Sequence, residues 1–130
     1  MSHRIVLVGH CGVDAPRLEA AVSKILPRAD VISVNSEQQL QDICDEGADL
    51  LLINRQLPFG FESEEGVELM HELQQMHPDV KMMLVSDRPD AQERARRAGA
   101  VDGFGKADLG SGKIAEILKV ALKGQQNKPN

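Results

Sequence analysis

Asn54 carries the chemical argument. It closes the run Ala48-Asp49-Leu50-Leu51-Leu52-Ile53-Asn54, with Pro58 four positions later. Leu50 to Ile53 is short, unbroken and apolar, as a strand buried on both faces must be. Asn54 therefore stands at the carboxyl end of that strand, where α/β sheets collect ligands and chemistry. A neutral amide there can donate and accept hydrogen bonds, but its oxygen is too weak a nucleophile for covalent chemistry. Ser86 and Lys106 occupy the exits of two further apolar stretches, and Gly9-His10-Cys11-Gly12 follows the first. Cys11 and His10 have the types of a nucleophile and its base, yet adjacent loop residues seldom face one another and no third residue orients the pair. The two glycines suggest a phosphate-binding turn only in outline, because neither Gly-x-Gly-x-x-Gly nor the Walker pattern is present. No ligand spacing supports a metal at His10 and Cys11. No catalytic residue, metal ligand or cofactor is therefore expected.

The elements that must position these residues can be read in order. Ile5–Val8 is strand one. Asp14 reads as the N-cap of a first helix with Pro16 in its opening turn and Leu18, Ala21, Val22 and Ile25 inward. Val31–Val34 is strand two. Ser36 and Gln39 form a capping box ahead of Leu40, Ile43 and Cys44, and Gly47 ends that helix. After strand three comes a long loop, Phe59 to Gly66, with a third helix expected to start at Ser63 and to face inward through Val67, Leu69, Met70, Leu73 and Met76. Met82–Val85 is strand four. The fourth helix has a thin inward stripe of Ala91, Ala95 and Ala98, which buries little area. Arg94, Arg96 and Arg97 lie on its outer side. Val101–Phe104 is strand five, and Ser111 caps a last helix facing inward through Ile114, Ile117, Leu118 and Ala121. Five strands alternating with five helices predict a doubly wound α/β domain over residues 1–123, followed by a polar tail over 124–130.

Composition removes several classes of function. The chain has 130 residues, 42% apolar and 27% charged, with a net charge of −5 and three aromatic residues, all phenylalanine. That balance argues against a nucleic-acid surface or a base-stacking platform. The two cysteines, Cys11 and Cys44, make no disulfide framework, so a reducing cytoplasmic setting is expected. Ile5–Val8 is too short to be a signal peptide or a membrane span.

Taken together, the strand exits resemble the receiver domains of bacterial two-component response regulators. The likeness runs from Arg4 to Lys123. It is carried by Ala48 to Asn54 with Pro58, by Pro78-Asp79-Val80-Lys81-Met82-Met83-Leu84-Val85-Ser86, and by Gly99-Ala100-Val101-Asp102-Gly103-Phe104-Gly105-Lys106. The resemblance implies a flavodoxin-like five-stranded parallel sheet of order 2-1-3-4-5. It also implies where the family's working parts would sit. Gly9 and His10 stand where the family has two acidic Mg²⁺ ligands, and Asn54 stands at the phospho-acceptor aspartate. Ser86 and Lys106 match. Ala107 follows where proline is usual, so a trans peptide is expected.

Three departures together remove the nucleophile and both metal ligands. The implied protein is a degenerate receiver, or pseudo-receiver, acting as a phosphorylation-independent interaction module with a vestigial site at Asn54, Gly9, His10, Ser86 and Lys106. Lys106 is expected to donate to the Asn54 amide oxygen. Two alternatives stand beside this reading. One is a receiver phosphorylated through unusual chemistry, with Glu62, Glu64, Glu65 or Asp87 as substitute ligands. The other is a flavodoxin-like small-molecule binder using the Gly9–Gly12 loop. The resemblance also implies an interaction face on the fourth helix, fifth strand and fifth helix. Arg94, Arg96, Arg97 and Phe104 are its candidate residues, for a protein partner or a homodimer.

Overall fold

The computed structural model describes residues 3–126. Its elements run β1 (Arg4–Val8), α1 (Asp14–Ile25), β2 (Asp30–Val34), α2 (Glu37–Glu46), β3 (Leu50–Asn54), α3 (Gly66–Met76), β4 (Met82–Val85), α4 (Pro89–Arg97), β5 (Val101–Phe104) and α5 (Lys113–Gln126), with a single 3-10 turn over Lys106–Asp108. The strands form one parallel sheet of order β2-β1-β3-β4-β5, as the resemblance implies. The polar tail expected from Gly124 starts later, because α5 continues to Gln126; residues 127–130 lie outside the described residues. Among the described residues, no helix is long and apolar enough to cross a membrane.

The central strands are buried on both sides, yet a period of two still sorts them. Val6, Val8, Leu51, Ile53, Met82 and Leu84 pack with the inward residues of α2, α3 and α4. Ile5, Leu7, Leu50, Leu52, Met83 and Val85 pack with α1 and α5. The chain thus leaves β1 toward one face and β3 toward the other. This divergence opens a crevice at the carboxyl ends of β1 and β3, the switch point of a doubly wound sheet.

Three expectations about the helices need correction. Asp14 is the first residue of α1 and not its cap; Val13 holds the cap position, and the Cys11 sulfur accepts from the Asp14 N–H at 3.4 Å. The Asp14 carboxylate is thereby left for another partner. The third helix starts at Gly66 with Glu65 as its cap, not at Ser63. Glu65 is held extended by an antiparallel bridge to Gln56, so the backbone cannot turn helical earlier. Met76 is 59% exposed, past the last inward turn of α3.

Phe104 does not belong to a surface. It is 3% exposed, because an irregular register between β4 and β5 pairs it with Val85 and turns its ring into the α1–α5 side of the core. The alanine stripe of α4 does face inward, each residue nearly fully buried. Alanine contributes far less than the Leu69, Met70 and Leu73 of α3, at roughly 0.8 kcal/mol per buried methylene. The side chain of Gln92 compensates in part: its amide donates to the carbonyls of Leu84 at 2.9 Å and Ser86 at 3.0 Å, pinning α4 to the end of β4.

Candidate functional site at the carboxyl edge of the sheet

Asn54, Ser86 and Lys106 do converge. Together with Arg55, Gln56, Asp87 and Arg88 they line a cleft of about 270 Å³. Gly9 and His10 border a second cleft, of about 480 Å³, which shares Asn54 and Gln56 with the first. What the side chains do inside these clefts departs from the sequence expectation.

The Asn54 amide nitrogen donates to two backbone carbonyls, Gln56 at 2.9 Å and Gly9 at 3.2 Å. It therefore ties the loop after β1 to the loop after β3. An ionised carboxylate has no proton to offer either carbonyl.

Lys106 does not reach Asn54. Its ammonium pairs with the Asp14 carboxylate at 2.5 Å, across 92 positions of sequence. A carboxylate accepts from an ammonium far more strongly than a neutral amide does, which explains the choice. The hydrogen bond from Lys106 is also the main reason the Asp14 carboxyl is held below the ordinary carboxylate range. Because the folded value is depressed, this pair stabilises the fold above the unfolded carboxylate's titration range and ceases to do so as pH falls through the folded value. Asp14→Asn is therefore expected to cost up to about 1 kcal/mol at neutral pH, a figure limited by the exposure of Lys106. The difference from the parent should shrink below about pH 4. Urea unfolding of both proteins from pH 7 to pH 3 checks this, and a gap that widens toward acid would count against the pair.

His10 is 5% exposed and points inward, with its Nε2 at 2.8 Å from the Leu52 carbonyl. A carbonyl only accepts, so Nε2 carries the proton and Nδ1 holds a lone pair that meets no donor. Burial pushes the imidazole below its ordinary value against the opposing pull of the Leu52 bond; the charge of Lys106 adds to the lowering. A neutral ring follows at pH 7. Cys11 by contrast is exposed, so the two neighbours do not form a nucleophile–base pair.

Gly9 has a φ of +74°, and a Cβ there would stand 2.8 Å from Leu57 Cδ2 and 3.1 Å from Pro58 Cδ. A side chain at this position is opposed by both backbone and neighbours.

The loop after β3 is folded, not loose. Leu57 N–H donates to the Glu64 carbonyl, Glu37 N–H at the start of α2 donates to the Gly60 carbonyl, and Phe61 is buried in the core. None of its acids lines the cleft at Asn54; Glu62, Glu64 and Glu65 border a neighbouring cleft of about 660 Å³ that shares Arg55 and Gln56 with it. The Glu62 backbone N–H donates to the Glu37 carboxylate at 3.3 Å, and the Glu65 carboxylate pairs with Arg94 at 3.1 Å. Among the described residues no group of three or more His, Cys, Asp or Glu side chains could hold a metal ion. Asp87 does border the cleft, with its carboxylate accepting from the Ala107 N–H at 3.2 and 3.3 Å. The peptide before Ala107 is trans, as expected.

Two residues of the site escape sequence reasoning: Asp14, hidden behind a plausible capping role, and Arg55, whose position directly after Asn54 is its one signal. The Arg94, Arg96 and Arg97 side chains are exposed as expected, but each is drawn into an intramolecular ion pair, with Glu65, with Glu93 and Asp102, and with Glu93 respectively.

No protein-family model matches the sequence, and no curated protein matches it either. Solved structures do. The chain superposes on NtrX from Brucella abortus with a TM-score of 0.78 at 19% identity, covering 98% of this chain and 29% of that one. It superposes on a response regulator from Thermotoga maritima with a TM-score of 0.75 at 22% identity, covering 95% and 99%. It superposes on the beryllofluoride-activated NtrC4 receiver domain dimer with a TM-score of 0.75 at 15% identity, covering 92% and 96%. The chain spans less than a third of the length of the NtrX chain and nearly all of the other two. At these identities the likeness speaks for architecture: five parallel strands in the order 2-1-3-4-5 with five helices, the flavodoxin-like fold of response-regulator receiver domains.

Proposed function

We propose that the chain is a pseudo-receiver: a signalling module that meets protein partners without aspartyl phosphorylation. The observation that carries this reading is the internal satisfaction of the edge where a receiver does its chemistry. Asn54 donates to two backbone carbonyls, and Lys106 is neutralised by Asp14. Acyl phosphate formation needs a carboxylate nucleophile and a bridging cation, and the amide supplies neither role. The one carboxylate bordering the cleft, Asp87, is engaged by a backbone N–H. That leaves phosphorylation through a substitute residue as the weaker reading. The module works as a non-catalytic protein in the cytoplasm, holding one conformation that the Asp14–Lys106 pair and the Asn54 bridge both favour.

The partner face is placed on α4, β5 and α5, with Arg94, Arg96 and Arg97 at its rim. The NtrC4 receiver is described as a dimer, which supports a second copy as one occupant. Val120 on α5 is 66% exposed and offers apolar area on that helix. Sedimentation velocity of the parent and of a variant with all three arginines changed to glutamate tests the reading. Each protein is run with and without Mg²⁺ and beryllofluoride. The additive is expected to change neither protein, while charge reversal shifts the parent's assembly toward monomer. A beryllofluoride-dependent dimer would contradict phosphorylation independence, and an unchanged sedimentation of the variant would remove the arginine face.

A further inference from the structure

We propose that the two clefts meeting at Asn54 form one reversible binding site for a small phosphate monoester of the nucleoside-monophosphate class, held without metal and without a covalent bond. The inference rests on the reading that position 54 accepts no phosphoryl group. It goes beyond that reading by naming what the edge holds instead.

The first cleft is cationic. Arg55, Arg88 and Lys106 border it against one carboxylate, Asp87. Lys106 is shared with Asp14, and Arg88 is shared with Asp90 through a solvent-exposed pair that an anion can exchange. Arg55 differs from both. It is half-buried, and it takes part in no ion pair among the described residues. A partly desolvated cation without a counterion is costly, and a planar guanidinium matches a phosphate oxygen pair in geometry. The Ser86 hydroxyl accepts from the Arg88 N–H and keeps its own proton to donate. Asp87 limits how much negative charge the cleft tolerates, which favours a monoester over a polyphosphate.

The second cleft has a different chemistry. It carries no charged side chain: glycines at 9 and 12, the amides of Asn35, Asn54 and Gln56, the neutral His10, Cys11, and the apolar Leu57 and Pro58. A Cβ on Gly12 would meet nothing within 4 Å, so the floor there is open. Side-chain amides and glycine backbone suit a neutral, planar, hydrogen-bonding group. The volume of about 480 Å³ is of the size that small ligands occupy. Asn54 and Gln56 line both clefts, so one molecule can place its phosphate on Arg55 and its neutral ring over Gly12. The location is the β1–β3 switch point, where a doubly wound sheet places its ligands.

Calorimetric titration of the whole chain in EDTA tests the site, with inorganic phosphate, the four nucleoside 5′-monophosphates and the free nucleosides as probes. At least one monophosphate is expected to bind saturably and about tenfold or more tighter than inorganic phosphate. Arg55→Gln should weaken it about tenfold without lowering the temperature of thermal unfolding. Gly12→Val should weaken the monophosphate while leaving inorganic phosphate binding as it was. Absence of saturable binding for all four monophosphates overturns the proposal. So does equal affinity for phosphate and its esters, or binding indifferent to both substitutions. Covalent phosphate on the protein is a separate outcome: it would refute phosphorylation independence and is read from intact mass, not from the titration.

Discussion

Gly66→Ala is expected to destabilise the protein by roughly 2–3 kcal/mol, a large effect for a single methyl group. Gly66 opens α3 directly against the end of β3. A Cβ there would overlap the Asn54 carbonyl oxygen and lie 2.9 Å from Ile53 Cγ2. The obstructing atom is backbone, so relief requires moving α3 off the sheet, and the cleft at Asn54 moves with it. Gly12→Ala is the natural control, since its new methyl meets open space. Urea unfolding should show the control within about 0.5 kcal/mol of the parent. Equal stability of the two variants would mean that α3 adjusts freely and that its start does not fix the site.

Asn54→Asp is expected to cost about 1–3 kcal/mol at neutral pH and to leave the protein unable to accept phosphate. The amide's two hydrogen bonds are lost, and a carboxylate oxygen takes the place of the nitrogen near the Gly9 and Gln56 carbonyls. Lys106 does not compensate while it is held by Asp14. The fold should therefore raise the new carboxyl's pKa above its unfolded value. The native state then binds more protons than the unfolded state between those two values, so stability falls as pH rises through that window. The variant should come closest to the parent in acid and fall furthest behind it at neutral pH. A gap independent of pH from 3 to about 8 would argue that the side chain has rotated into solvent and that its two carbonyl contacts matter little.

Restoring acids at positions 9 and 10 as well is a harder change than the sequence suggests. Gly9 sits at positive φ with Leu57 and Pro58 close by, and removing His10 leaves the Leu52 carbonyl without its donor. Three substitutions thus rebuild a loop as well as a metal site.

The fold was legible because its signals are local. Apolar runs of four or five residues, glycine and proline breaks and capping residues such as Ser36 mark strand and helix before any tertiary contact is known. Ser36 does accept from the Gln39 N–H, although the Gln39 side chain reaches Asn35 and not Ser36. The site was legible only as a set of residue types. That position 54 is a neutral amide is written in the chain, but its partners are backbone carbonyls, which every sequence has. Asp14 looks like a cap because a carboxylate at a helix start usually is one; its partner lies 92 positions away. Phe104 reads from the sequence as a surface residue for a similar reason. Only the register irregularity between β4 and β5 decides which side of the sheet its ring takes.

The central claim is that this edge of the sheet accepts no phosphoryl group. Intact-mass measurement of the unmodified protein after incubation with acetyl phosphate and Mg²⁺ tests it most directly, with an established phosphorylatable receiver treated in parallel as the positive control. The account predicts an unchanged mass for the chain and a labelled control. A stoichiometric acid-stable, base-labile phosphate on any carboxylate of the folded chain, Asp87 first among them, would contradict it.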